Sequence, residues 1–138
     1  MLKTFFCNSE IEQGGILGFR SDLNHITDFY PDTFTCSNSI EYRISSDFLN
    51  IQIREWAKKN TYFCGIVHSH VSDENRLSHG DIIYIEKQLL SASHYPFLWF
   101  PVVICTKWKW EICFYRCFRD NFGKLICEKE NYYIFLNT

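Results

Sequence analysis

The sequence lacks long apolar runs and runs of basic residues. No stretch approaches the ~20 apolar residues of a membrane-spanning helix. The start of the chain turns polar at Asn8, before it reaches the ~7 to 15 apolar residues of a secretory signal. The formal net charge is only −2. We therefore expect a cytoplasmic protein whose partners include neither membranes nor nucleic acid.

Proline is scarce, and there is no internal repeat, low-complexity tract or linker. The 138 residues, of which 46% are hydrophobic and 22% charged, have the size and composition of one globular domain. We therefore predict a single domain over residues 1–138. Seven cysteines, an odd number without an export signal, argue against a disulfide framework. We interpret most of them as reduced and buried.

Apolar spacing predicts the first half of the fold. Residues 11–19 form an apolar, glycine-containing strand, and residues 24–30 are its expected hairpin partner. Residues 47–59 have the spacing of one helical face. Residues 62–67 are continuously apolar except for a glycine, as a buried strand would be. A second helix is predicted from Ser78 to about residues 91–94.

The second half of the chain is predicted to be mainly strands. Residues 97–105 indicate one buried strand, and residues 108–115 alternate as a half-buried strand does. A turn at residues 121–123 leads into residues 124–127, and residues 132–136 are a candidate closing strand. The whole pattern predicts an α/β or α+β domain built on a mixed sheet with two helices.

One set of residues suggests chemistry. Glu12 lies on the first strand, and His68-Ser69-His70 follows the buried strand, with Ser78 and Asp81 at the start of the second helix. Alternate residues of an extended segment point the same way, so both histidines can face one ion. Two imidazoles and a carboxylate suit zinc and leave a fourth position for water. We expect one Zn²⁺ per chain.

Each part of this set also has an ordinary explanation. A His-x-His pair occurs by chance, and Ser78-x-x-Asp81 alone is equally well a helix capping box. A glutamate at a strand end is unremarkable, and charge alone would allow Glu10 in place of Glu12. Only the joint pattern distinguishes a site from these alternatives.

The joint pattern resembles the signature of the JAMM, or MPN-plus, metallopeptidases. That signature is a glutamate, His-x-His, seven residues, Ser, two residues and Asp, and Glu12, His68, His70, Ser78 and Asp81 match it without a gap. The segments EQGGILG and GIVH beside these residues also resemble the family. The resemblance covers about residues 11–107. It favours Glu12 over Glu10, because only Glu12 stands three residues before Gly15, which matches the glycine that follows the family's catalytic glutamate.

The resemblance implies a JAB/MPN-like fold, related to the cytidine-deaminase fold, with a mostly antiparallel curved sheet flanked by two helices. It implies a zinc-dependent isopeptidase in which His68, His70 and Asp81 hold the metal. Glu12 would act as general base and Ser78 would stabilise the oxyanion. The implied substrate is the bond after the C-terminal glycine of ubiquitin or a ubiquitin-like protein.

The resemblance also has a departure and a context. Val71 stands where the family often has proline after the second histidine, and there is no room for the second insertion of some eukaryotic members. The chain therefore resembles minimal prokaryotic members, which are encoded beside ubiquitin-like conjugation enzymes, including those of antiphage systems. Ubiquitin-activating-like and ubiquitin-conjugating-like enzymes are thus expected partners.

Two further functions stay open. One is a catalytically silent MPN-type scaffold, although such relatives typically lose a ligand and this chain has lost none. The other is a RadC-like JAB domain in DNA metabolism, although those relatives usually carry Pro-Ser-Gly where this chain has Val71-Ser72-Asp73. The absence of basic runs also argues against the second.

The cysteines offer weaker alternatives. Cys105, Cys113 and Cys117 with His94 form a conceivable second zinc site, but their spacing matches no compact zinc motif, and parity places Cys113 on the exposed face of its strand. Cys64 could be a nucleophile, but its apolar strand favours a buried structural role. Trp108 and Trp110 are expected to pack in the core, and an aromatic partner-binding face is the alternative.

Overall fold

One mixed sheet organises the part of the chain that the computed structural model describes, which is residues 5–6, 11–33, 42–92 and 94–132. Strands β3, β4 and β5 run parallel where they pair, and every other neighbouring pair is antiparallel. The order across the sheet is β2, β1, β3, then β4 and β5 in succession, β6 and β7. The strands are β1 Gly14–Phe19, β2 Asp28–Pro31, β3 Tyr62–His70, β4 Leu98–Trp99, β5 Val102–Cys105, β6 Trp110–Arg119 and β7 Leu125–Glu130.

Besides the helical residues 5–6, the described part of the chain contains two helices, α1 Ser46–Ala57 between β2 and β3, and α2 His79–Ser91 between β3 and β4. The side chain of Ser45 accepts a hydrogen bond from the backbone N–H of Phe48 and so begins α1. The prediction of a mixed sheet with two helices is confirmed, as is the antiparallel pairing of the first two strands. Neither helix, nor any other helix in the described residues, is long and apolar enough to cross a membrane.

Apolar side chains cover both faces of the sheet. One core cluster joins the helices to the sheet and includes Leu49 and Trp56 of α1 and Ile85 and Leu89 of α2. A second cluster contains Leu17, Val67, Trp99, Val103 and Ile112, with Phe6 packed among them. Adjacent residues of β5 divide between the two clusters, because successive side chains of a strand point to opposite faces.

Because both faces of the sheet are covered, one prediction about β6, the exposure of Cys113, is wrong. The alternating pattern placed Cys113 on an exposed face, but this residue is only 9% exposed and belongs to the cluster beneath the helices. Ile112, its neighbour, is buried in the other cluster. Period-two alternation shows which residues share a face, but it cannot tell whether a half-polar face is covered.

The predicted strand at residues 97–105 is in fact two short strands. Phe100 and Pro101 separate β4 from β5, and both strands lie between β3 and β6. Proline has no N–H to donate to a ladder, which explains the interruption. The carbonyl of Pro101 nevertheless accepts a hydrogen bond of 3.2 Å from the backbone N–H of His68.

The two β-hairpins of the second half differ from their predictions in detail. β6 begins at Trp110, and Trp108 lies in the preceding turn with 86% of its surface exposed, so its predicted core position is wrong. Trp110 is half-buried. The turn at residues 121–123 is confirmed, with Gly123 at φ +79°, and β7 extends to Glu130. Residues 133–136 of the predicted closing strand lie outside the described residues, as do Glu10, Cys7 and Cys36.

Gly65 tests how tightly β3 and β4 are joined. This residue pairs with Trp99, and a Cβ added to it would overlap the backbone oxygen of Trp99 and lie 2.7 Å from its carbonyl carbon. Backbone atoms in a sheet cannot move aside cheaply. We therefore expect Gly65→Ala to lower the free energy of unfolding by about 1–3 kcal/mol, as overpacking typically does. Urea unfolding measures this change.

The control is Lys124→Ala, at an exposed position in the β6–β7 turn, which should change stability by less than about 0.5 kcal/mol. A Gly65→Ala protein as stable as this control would show that β4 does not approach β3 as closely as described.

Candidate metal centre

His68 and His70 lie at the end of β3. They are two residues apart, so their side chains lie on one face of the sheet. Their Nε2 atoms are 3.0 Å apart, and both residues are buried. The prediction placed them just after the strand, whereas they lie within it. Ser69, between them, forms two hydrogen bonds with Gln13, the residue just before β1. The Ser69 N–H donates to the Gln13 carbonyl at 2.8 Å, and the Ser69 Oγ accepts from the Gln13 N–H at 2.9 Å. The pairing with β1 therefore fixes the strand end that carries both imidazoles.

Asp81 reaches the same point from helix α2. Its Oδ1 lies 3.3 Å from Nε2 of His68, and its Oδ2 lies 3.1 Å from Nε2 of His70. Asp81 also completes a capping box, because its Oδ2 accepts from the Ser78 N–H while Ser78 Oγ accepts from the Asp81 N–H. The capping and metal-binding interpretations of Ser78-x-x-Asp81 are thus compatible, since one geometry serves both.

Glu12 lies close to the two histidines and stands just before β1 in the chain. It is 9% exposed, and its carboxylate and the two imidazoles present ligand atoms that all lie within 4.8 Å of one another. The group Glu12, His68 and His70 could therefore hold a metal ion. Two carboxylates, those of Glu12 and Asp81, are then candidates for the third ligand beside the imidazoles.

Hydrogen bonding and pKa shifts separate the two carboxylates. Burial opposes ionisation of Asp81, but hydrogen bonds from His68 and His70 outweigh it and hold the pKa of this carboxyl far below its usual range. For Glu12 burial dominates, so its pKa is raised although the Tyr42 N–H donates to Oε1 at 3.2 Å. Asp81 is the firmly ionised group expected of a ligand, whereas Glu12 is the more basic carboxylate.

His70 is oriented by a second hydrogen bond. Its Nδ1 lies 2.7 Å from the carbonyl oxygen of Glu74, and because a carbonyl only accepts, Nδ1 donates this bond and Nε2 is the nitrogen that faces Asp81. Burial works against protonation of the ring, but the hydrogen bonds to Asp81 and Glu74 outweigh it and raise the pKa of His70. With Nδ1 committed to Glu74, Nε2 is the nitrogen that would bind a metal, in exchange for its own proton.

The donor set and its spacing fit a tetrahedral ion. A zinc ion with bonds of ~2.0–2.1 Å needs ligand atoms ~3.3 Å apart. The separations among the two imidazole nitrogens and the Asp81 oxygens are 3.0, 3.1 and 3.3 Å. Nitrogen and oxygen ligands of this kind also suit other divalent transition metals, so the geometry defines a candidate metal site rather than one element.

Ser78 and Glu12 both line the cleft that opens beside His70 and Asp81. The cleft has a volume of about 460 Å³ and exposes one side of the site to solvent. Ser78 Oγ uses a lone pair to cap α2, which leaves its hydroxyl proton available for a molecule in the cleft. The remaining lining residues are Val71, Ser72, Glu74, Arg76 and Leu77.

The segment before α1 contributes residues that the sequence did not indicate. Tyr42 bonds Glu12 through its backbone and donates its hydroxyl proton to the buried Asp32 at 2.7 Å. The neighbouring Arg43 guanidinium lies 3.4 Å from Oδ1 of Asp81 and stacks over the ring of Tyr84 at 5.3 Å. Gly14 allows this arrangement, because a Cβ there would overlap the Tyr42 ring. No periodicity or short motif marks Tyr42 or Arg43, so only the folded chain shows them.

The alternative zinc ligands do not come together. Among the described residues, no cysteine belongs to a group of three residues that could hold a metal ion. Cys105 is disulfide-bonded, Cys113 donates to Glu111, and Cys117 contacts Cys127. Cys64, Cys113, Cys117 and Cys127 carry free thiols, as interpreted for most cysteines, and Cys105 is the exception. Burial raises the pKa of the Cys64 thiol above its usual value, which disfavours a nucleophilic role.

Comparison with known proteins defines the fold alone. No family model matches the chain, and no curated protein matches it. Among solved structures, the chain is similar to the solution structure of protein DSY2949 from Desulfitobacterium hafniense, with a TM-score of 0.59 and 18% sequence identity. The match covers 86% of this chain and 76% of that one. It supports the α/β architecture and assigns no activity.

A pair of variants separates the two roles of Asp81. Asp81→Ala and Ser78→Ala each remove half of the capping box, which typically costs about 1 kcal/mol, but only Asp81→Ala removes a carboxylate from the imidazoles. After loading with a divalent metal and dialysis, we expect Ser78→Ala to retain metal and Asp81→Ala to lose it. Elemental analysis measures the metal, and far-ultraviolet circular dichroism verifies folding. Equal retention by both variants would remove Asp81 from the ligand set.

Tyr42→Phe tests the anchor beneath Glu12. This change deletes the hydrogen bond to Asp32 and keeps the ring that packs against Gly14. We expect the free energy of unfolding to fall by about 1–3 kcal/mol, the range for a buried hydrogen bond of this kind. Tyr62→Phe, which removes a hydroxyl from a side chain that is 43% exposed, is the matched control in urea unfolding. Identical stabilities would mean that the Tyr42–Asp32 contact contributes nothing.

Proposed function

We propose that this chain is a zinc-dependent isopeptidase of the JAMM type, with a JAB/MPN-like fold. In this proposal it hydrolyses the bond after the C-terminal glycine of ubiquitin or a ubiquitin-like protein. The observation that carries the proposal is the convergence of five residues from three parts of the chain. His68 and His70 at the end of β3 meet Asp81 and Ser78 at the start of α2, and Glu12 faces them from the start of β1.

In the proposed site His68, His70 and Asp81 hold the zinc ion. Zinc bound there supplies Lewis acidity, which makes a water molecule acidic enough to ionise near neutral pH and polarises a carbonyl group. The choice of Asp81 over Glu12 as third ligand rests on its contacts of 3.1 and 3.3 Å with both imidazoles. Glu12 is then free for proton transfer.

Glu12 is the proposed general base. Its raised pKa makes it a better proton acceptor than an exposed carboxylate, and the Tyr42 N–H fixes one of its oxygens. It would accept a proton from the attacking water and deliver it to the departing amine. Because Glu12 lines the cleft, a substrate in the cleft lies within reach of this carboxylate.

Ser78 is the proposed oxyanion donor. Its position is fixed by the capping hydrogen bond from the Asp81 N–H, in which the Ser78 oxygen accepts and its hydroxyl proton takes no part. A hydroxyl held in this way can donate to a carbonyl oxygen as negative charge develops on it. Helix α2 would thus position both a metal ligand and an oxyanion donor within a single turn.

The nature of the substrate rests on the JAMM resemblance of the signature residues. The cleft of about 460 Å³ is open to solvent, which suits a flexible protein tail better than a small molecule that must be enclosed. Ubiquitin-activating-like and ubiquitin-conjugating-like enzymes, including those of antiphage systems, are the partners that such an activity would accompany.

Glu12→Gln is the decisive variant. We expect it to bind zinc as the wild type does and to lose cleavage by ~100- to 10,000-fold, the usual contribution of a general base. The assay follows release of a peptide fused after the terminal Gly-Gly of a ubiquitin-like protein, and elemental analysis follows zinc. Since Gln has nearly the shape of Glu, its effect reports on proton transfer rather than packing.

Glu111→Gln is the matched control, because Glu111 is a carboxylate outside the cleft that bonds Asn75 and Lys109. Its turnover should stay near that of the wild type. Undiminished cleavage by Glu12→Gln would overturn the assignment of the base. Zinc-loaded wild type that cleaves no such fusion would instead favour the catalytically silent scaffold.

A further inference from the structure

Two free cysteines face each other across the last hairpin of the sheet, away from the candidate metal centre. Cys117 on β6 and Cys127 on β7 are direct partners in the antiparallel register. Their sulfur atoms are 2.9 Å apart, closer than two sulfurs approach without a bond or a hydrogen bond. Both are free thiols. Nothing in the proposed peptidase chemistry uses this pair.

The backbone of the hairpin already has the geometry of a disulfide. Residues directly opposite on antiparallel strands have Cα atoms ~4.5 or ~5.5 Å apart, depending on their place in the ladder. Both values fall within the ~4.4–6.8 Å that disulfides span. The ladder continues on both sides of the pair, from Phe114 opposite Glu130 to Arg119 opposite Leu125. The bond can therefore form without moving either strand.

The two thiols differ in exposure and in acidity, so they would take different roles in oxidation. Cys117 is fully buried, whereas Cys127 is partly exposed and lies on a strand that pairs only with β6 among the described residues. The Cys117 S–H donates to the Cys127 sulfur, and this hydrogen bond lowers the pKa of Cys127 although burial opposes it. An oxidant in solution would meet Cys127 first, in its more reactive form.

We propose that Cys117 and Cys127 form a reversible disulfide, which makes the β6–β7 hairpin a site of thiol–disulfide modification. A small disulfide such as oxidised glutathione is a sufficient oxidant. The Cys127 thiolate attacks one of its sulfurs, which gives a mixed disulfide and releases a glutathione thiolate. The Cys117 sulfur, having lost its proton, then attacks Sγ of Cys127 and expels the second glutathione. The protein loses two electrons and two protons, and two glutathione thiols are formed.

The sequence makes the product easy to identify. Trypsin cleaves after Arg116, Arg119, Lys124 and Lys129, so the two cysteines leave in separate short peptides, residues 117–119 and 125–129. The folded protein is treated with oxidised glutathione, its remaining thiols are blocked with N-ethylmaleimide, and the digest is analysed by mass spectrometry. We expect these two peptides joined by a disulfide, and we expect dithiothreitol treatment before blocking to abolish the joined species.

Three variants control the experiment. Cys117→Ser and Cys127→Ser should each abolish the joined species, and the half-buried position of Cys127 makes its variant the one better tolerated by the fold. Cys64→Ser, which removes a buried thiol in the other core cluster, should leave it unchanged. The proposal is overturned if Cys127 of the wild type is recovered alkylated at saturating oxidant. It is also overturned if Cys127 is recovered joined to any cysteine other than Cys117.

Discussion

The Asp81 carboxylate is the contact on which the arrangement of the site depends. Its Oδ2 accepts from the Ser78 N–H in the capping box of α2, and its two oxygens contact both imidazoles at the end of β3. Burial of an unpaired carboxylate would be costly, so these partners are what allow Asp81 to lie at 4% exposure. The helix start and the strand end are therefore fixed to each other by one side chain, and the loop between them does not need to be rigid.

The pairing of β1 with β3 supplies the other half of the arrangement. Gly14 lies opposite His68. One residue earlier, the backbone N–H and carbonyl of Gln13 both form hydrogen bonds with Ser69, which extends the contact between the two segments. Glu12 precedes this point immediately, so the register of the ladder brings its carboxylate to the histidines. A shift of one residue would turn both imidazoles to the opposite face of the sheet. Gly14 also admits the Tyr42 ring, which links the ladder to the segment that precedes α1.

The sequence predicted the parts of the site that obey short-range rules. The His-x-His spacing, the helix cap at Ser78 and the strand that leads to His68 depend on neighbours along the chain. The cap lies where it was expected, and the strand differs only in that it continues through both histidines. Tyr42 and Arg43 could not be found in this way, because their contacts with Glu12 and Asp81 join residues about thirty or more positions apart. Trp108 and Cys113 were misplaced for a related reason. Alternation describes one strand, whereas exposure depends on which neighbours cover it.

Arg43 offsets part of the negative charge that the two carboxylates bring to the site. Glu12 and Asp81 bring two negative charges to the imidazoles, and the Arg43 guanidinium, 3.4 Å from Asp81, offsets one of them. A divalent cation held between these groups would leave one net positive charge in a partly buried space, where Coulomb interactions are stronger than in water. A second cation would then be repelled, while an anion at the open side would be attracted. The same arginine that partly neutralises the two carboxylates would thus favour an anion beside the centre once a cation is bound.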